Sequence, residues 1–203
     1  MIEQARGKIS LFIVSCFTLS LLLISCSSEE ATSQTINQEQ QNNETITMKL
    51  TSIAFKHSET IPKKYTCDGD NTNPELQISH VPKGTVSLVL IMDDPDIPTA
   101  VKEARGIQVF DHWVIFNIPP ETRTITTSPS FGTLGKNSAG QNKYTGPCPP
   151  PQYQPTTHRY FFKLHALDTT LDLPAGATKA QVELAMHGHI IEQAELMGKY
   201  DRS

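Results

Sequence analysis

Apolar and polar positions divide this chain into three stretches. Leu11 to Ile24 is a continuous run dominated by Leu, Ile, Phe and Val, preceded by Arg6 and Lys8. Residues 27–47 carry two Ile and no aromatic side chain. From Met48 onward the apolar residues come in short blocks. Met48 to Phe55 alternates enough to be a strand, and Val86 to Met92 is nearly all apolar, as a buried strand is. His112 to Ile118, closed by Pro119-Pro120, and Arg159 to Leu167 are two more, rich in β-branched and aromatic residues. Thr178 to Tyr200 reads as a helix: Val182, Leu184, Ala185, Ile190, Ile191, Ala194, Leu196 and Met197 supply an apolar face, with Gly188 an imperfection inside it. Turn formers fill Cys67 to Asn71 and the long stretch Gly132 to Pro155. Several strands followed by a late helix predict a mainly β domain with a few peripheral helices, one of them C-terminal.

The first stretch has the order of an export signal, a charged start and then a short apolar run. That run is shorter than the ~20 residues that span a bilayer comfortably. It ends in Leu23-Ile24-Ser25-Cys26, which resembles the bacterial lipobox. The resemblance implies cleavage before Cys26 and acylation of its thiol. Cys16 lies mid-run and leaves with the signal. Residues 1–25 are then a lipoprotein signal peptide. Residues 26–47 are a lipidated Cys and a solvated tether, too polar to offset its ordering entropy. The expected location is the cell envelope, on a bacterial membrane. Ser27 in place of Asp favours the outer membrane, facing the periplasm, if the host has two membranes.

Residues 48–203 are the size of one domain. A formal net charge of -4 leaves no basic footprint for nucleic acid. Cys67 and Cys148 remain in that domain. An even thiol pair in an exported domain suggests a disulfide, worth ~4 kcal/mol in the chain-entropy picture. Two separate buried thiols are the alternative. A Cys₂ metal site lacks the short paired spacing of zinc ligands.

Three clusters carry candidate chemistry. Asp93-Asp94-Pro95-Asp96-Ile97-Pro98 follows a buried strand, and its prolines hold the carboxylates in place. His112-Trp113 opens the next strand, and Gly146-Pro147-Cys148-Pro149-Pro150-Pro151 precedes His158-Arg159-Tyr160. A strand-end His can donate from one ring nitrogen to an anion while a carboxylate holds the other. Two such His, an Asp and a Tyr hydroxyl would make a small anion pocket with Pro and Gly walls. A satisfied structural His and an Asp-Pro turn are the plainer readings of the same residues.

Asp94-Pro95-Asp96-x-Pro98, His112-Trp113, Gly146 to Pro150 and His158-Arg159-Tyr160 resemble, in order and spacing, the phosphatidylethanolamine-binding protein family. Tyr65 to Pro74 and Ala185 to Tyr200 are similar to its bacterial branch of Raf-kinase-inhibitor-like proteins. The resemblance covers essentially all of residues 48–203. It implies a β-sandwich with an anion pocket at one end. It places Asp94, His112, His158 and Tyr160 around that pocket, and Asp96, Pro98, Gly146 and Pro149 on its rim and walls. It further implies a phosphate-like anion or phospholipid head group as ligand, and no cofactor. Gln77-Ile78-Ser79 departs from relatives that carry a Trp there, a position expected at the pocket entrance.

Other chemistries fit less well. No G-x-S-x-G elbow accompanies the Asp and His residues, so no catalysis is expected. Gly132 to Asn137 lacks the spacing of a phosphate loop. Asp68-x-Asp70 lacks the later Gly and Glu of a calcium loop. His187 and His189 are two apart and point away from each other on a helix, so no metal is expected there. The expected function is a membrane-tethered exported binding protein. The alternative is an interaction module that regulates an exported enzyme, such as a protease or a kinase-like partner.

Overall fold

The computed structural model describes residues 46–202. The export signal, Cys26 and most of the tether lie outside the described residues. Besides a 3-10 turn at Lys63–Tyr65, eight strands and two α-helices build the described part. They are β1 (Lys49–Ser52), β2 (Leu76–Ser79), β3 (Ser87–Asp94), α1 (Thr99–Arg105), β4 (Phe110–Ile118), β5 (Thr124–Ile125), β6 (Thr133–Leu134), β7 (Thr157–Leu167), α2 (Lys179–Met186) and β8 (Ile190–Asp201). They form two antiparallel sheets, β1-β2-β5 and β6-β4-β3-β7-β8.

Strand β3 is central in the larger sheet, and all eight of its residues are buried. Its continuous apolar run follows from burial on both faces. One face sends Leu88, Leu90 and Met92 into the main core, where Trp113, Ile115, Phe162 and Leu164 meet Leu50, Leu76 and Ile78 of the smaller sheet. The other face sends Val89 and Ile91 under α2, against Val114, Phe116, Val182 and Met186. The domain is thus a sheet-on-sheet sandwich with one helix closing its outer side, as the predicted mainly β class requires.

The predicted helix over 178–200 is corrected by the structure. Only Lys179–Met186 is helical, started by a reciprocal cap between Thr178 and Gln181. Val182 and Met186 are buried on it, whereas Leu184 is 79% exposed. The chain turns at Gly188, whose φ is 84°, and continues as β8. Leu196, Gly198 and Tyr200 are buried at every second position. Pairing with β7 from Thr157↔Asp201 to Leu167↔Ile190 satisfies the whole segment as an edge strand. Gly188 is the break between two elements rather than a flaw in one.

Candidate functional site

Asp93 and Asp94 end β3 side by side, so strand alternation sends them to opposite faces. Asp93 turns to the α2 side, where Lys163 and Lys179 reach its Oδ2 at 2.8 and 2.6 Å. Lys179 also approaches Asp111 at 3.3 Å. Asp94 faces the other way and accepts from His158 Nδ1 at 2.7 Å, with both side chains almost fully buried. Its second oxygen accepts from the backbone N–H of Asp96 at 2.8 Å, which fixes the carboxylate plane.

His112 reaches the same place through a bulge. Met92 pairs with Trp113 and Asp93 pairs with Asp111, which leaves His112 as an extra residue in β4. An extra residue re-aims a side chain. The imidazole lies edge-on to Tyr160, with ring centroids 5.2 Å apart. His112 Nδ1 lies 2.6 Å from the Thr145 carbonyl, which can only accept, so Nδ1 carries the proton. Burial pushes the His112 pKa below its ordinary value, against the Thr145 carbonyl and the charge of Asp94, which both pull it up. The neutral ring therefore presents the Nε2 lone pair. His158 Nε2 is also buried and makes no hydrogen bond, and neither does the Tyr160 hydroxyl. Burial raises the Tyr160 pKa, with the Cys148 backbone near enough to oppose the shift.

The segment 144–150 forms one wall. Gly146 N–H donates to Asn71 Oδ1 at 2.7 Å, Cys67 N–H to the Pro147 carbonyl at 3.1 Å, and Tyr144 O–H to the Tyr65 carbonyl at 2.7 Å. A Cβ on Gly146 would overlap the Tyr65 carbonyl oxygen. The approach of two backbones thus requires glycine. Cys67 and Cys148 are joined as a disulfide, Cα to Cα 5.4 Å, and clamp the wall to the loop after Tyr65. Another part of the enclosure comes from α1, which Pro98 precedes.

These walls enclose a cavity of about 270 Å³. Of the residues named from sequence, Asp94, Pro98, His112, Gly146 and His158 line it. Asp96, Pro149 and Tyr160 do not. Asp96 is held in a two-pronged pair with Arg159, at 2.7 and 2.8 Å, which lowers its pKa. Pro149 is buried in the wall while Pro150 faces the space. Tyr160 backs the two imidazoles. Gln77 is exposed on β2 of the smaller sheet, so the expected change at the entrance does not arise there.

Sequence reasoning missed Val101, Arg105, Phe110 and Thr145 in this lining, and named Ile97, Cys148 and Pro150 without assigning them to it. Ile97, Cys148 and Pro150 fall inside quoted motifs, so proximity was an available signal. Arg105 and Phe110 carry no motif. They meet because α1 returns the chain to the start of β4, where the guanidinium sits 5.6 Å from the Phe110 ring.

Fold and cavity together define a β-sandwich binding protein with an acid–histidine pocket at one end of the larger sheet. The chain matches the family described as phosphatidylethanolamine-binding protein over residues 51–201, and it belongs to that family. A UPF0098 protein from Methanothermobacter thermautotrophicus is 45% identical over 162 residues, covering 76% of this chain and 99% of the relative. The crystal structure of a phosphatidylethanolamine-binding protein homologue from Chlamydia trachomatis superposes with a TM-score of 0.71 at 42% identity, covering 77% of this chain and 99% of that one. The Escherichia coli protein YbcL, described as a member of the mammalian family, gives 0.68 at 27% identity, covering 78% and 100%.

Proposed function

We propose that this protein is a binding protein for a small phosphate-like anion, carried on a bacterial membrane by acylated Cys26. The observation that carries the ligand reading is the pair of imidazoles lining one cavity. Each has Nδ1 engaged by a protein acceptor, and neither Nε2 has a hydrogen-bond partner among the described residues. Arg105 adds a fixed positive charge to the lining. The membrane reading rests on the lipobox-like Leu23 to Cys26.

This arrangement makes anion binding proton-linked. A neutral imidazole with Nδ1–H engaged offers only a lone pair at Nε2, which repels an oxyanion. His112 must gain a proton to donate there, and burial resists that in the empty pocket. Asp94, Asp93 and His158 are the charged or titratable neighbours that act on it. Uptake of one proton with the anion raises affinity by up to about tenfold per pH unit of acidification. Sulfate is a suitable probe because it does not titrate in this range. Calorimetry on the full chain should show sulfate binding tightening from pH 7.5 to 5.5. His112→Ala should flatten that slope, and both His112→Ala and His158→Ala should weaken sulfate binding. Affinity independent of pH, or unchanged in both variants, would refute the assignment.

A further inference from the structure

A bare inorganic anion matches only part of the cavity. Its polar side chains are those of His112, His158, Asp94, Thr145 and Arg105. The lining also holds apolar side chains: Val101 on α1, Ile97 just before it, Phe110 at the head of β4 with its ring 4.8 Å from that of His112, and Pro150. Arg105, at the end of α1, lies over Phe110 and makes one hydrogen bond among the described residues, to the Ser138 carbonyl at 3.3 Å. A guanidinium has five N–H donors, so most of its capacity remains for a ligand.

Volume narrows the class further. At about 270 Å³ the cavity lies just under the ~300–1,000 Å³ of ordinary small-molecule sites. A tetrahedral oxyanion of five heavy atoms would leave the apolar side chains against water. Two acyl chains would not fit. One ring or a short branched alkyl group beside the anionic head would fill the space and cover Ile97, Val101 and Phe110. Removing such apolar surface from water is favourable in proportion to its area.

We propose that the pocket selects a small amphiphilic oxyanion, one tetrahedral anionic head bearing one apolar substituent of about ring size, with Arg105 supplying the rim charge. This rests on the anion reading above and narrows it. A phosphomonoester of an apolar alcohol has the required chemistry. So does the phosphate end of a cleaved lipid with one short chain.

Three probes separate the alternatives at pH 5.5 on the full chain purified without phosphate. Methanesulfonate and benzenesulfonate carry the same fully ionised head and differ only in substituent. Dihexanoyl phosphatidylethanolamine, below its micelle concentration, represents an intact diacyl lipid. Benzenesulfonate should bind at least tenfold tighter than methanesulfonate, and the diacyl lipid more weakly than benzenesulfonate. Val101→Ser and Phe110→Ala should each bring the sulfonate ratio below threefold. Val101 is only half-buried on α1, so that variant tests the wall even if Phe110→Ala disturbs packing. Arg105→Gln should weaken both sulfonates several-fold and leave their ratio unchanged. Equal affinities for the two sulfonates, both lost in His112→Ala, would overturn the amphiphile inference and leave the anion pocket standing. A diacyl lipid that binds as tightly as benzenesulfonate would overturn the size limit. Sulfonate binding indifferent to His112→Ala, or none at all, would overturn both readings.

Discussion

Replacing His165 with Leu should make the domain markedly more resistant to mild acid. His165 sits on β7 on the face away from the pocket, between Val89 and Gln193 in register. It is 6% exposed, and both ring nitrogens are buried without a hydrogen bond. Burial, with Lys163 adding to it and Asp93 opposing it, holds its pKa down at about 4. In the unfolded chain the value returns to ~6.5. Between these values the unfolded state binds a proton that the native state refuses, so stability falls as pH falls. The contribution is intact above pH ~6.5 and is lost progressively down to about 4. At ~1.4 kcal/mol per pH unit, the loss amounts to ~2 kcal/mol between pH 7 and 5, and approaches ~3 kcal/mol below pH 4. His165→Leu removes this linkage and two orphaned nitrogens while nearly keeping the volume. Urea unfolding of both proteins at pH 7 and pH 5 isolates the effect, because whatever the two proteins share cancels in the difference. The variant should gain ~2 kcal/mol over wild type at pH 5 relative to the difference at pH 7. An equal acid loss in the two proteins, within ~0.5 kcal/mol, would show that His165 does not hold this depressed pKa.

Gly146→Ala should push the 144–150 wall off the Tyr65 backbone, since the added Cβ overlaps the Tyr65 carbonyl oxygen. Thermal or urea unfolding should register a loss of ~1–3 kcal/mol, and sulfate binding should weaken with it. Wild-type stability would mean that the two backbones can separate freely. The double variant Cys67→Ser, Cys148→Ser opens a loop with a sequence separation of 81. It should cost ~4 kcal/mol in urea unfolding if the bond acts chiefly by restricting the unfolded chain. A loss under ~1 kcal/mol would instead indicate a wall already held by its hydrogen bonds, which include Gly146 to Asn71 and Cys67 to Pro147.

Much of the sandwich was legible in the linear pattern. The apolar run at 86–92 could be stable only with both faces covered, and β3 lies at the centre of its sheet. The blocks at 112–118 and 159–167 became β4 and β7, its two neighbours. The short strands β2, β5 and β6 and the seven-residue α1 escaped notice. Segments of two to seven residues have too few positions to show a period. Thr178 to Tyr200 misled in the other direction. Its apolar residues fit a helical face and an alternating face about equally well, and the pairing with β7 settled the matter.

Residue chemistry and local order belong to the sequence alone. They include the carboxylates at the end of a buried strand, histidines opening or lying near the start of two others, a glycine-proline wall and a cysteine pair. The tertiary structure decided which of these groups meet. Strand alternation separates Asp93 from Asp94 by one residue and one whole face of the sheet. The bulge in β4 aims His112 at the cavity, and a bulge exists only relative to a partner strand. Arg105 and Phe110 became pocket residues because α1 folds back onto the head of β4. The low His112 pKa has the same origin. Desolvation depends on what surrounds a ring, and that depends on packing between segments distant in sequence.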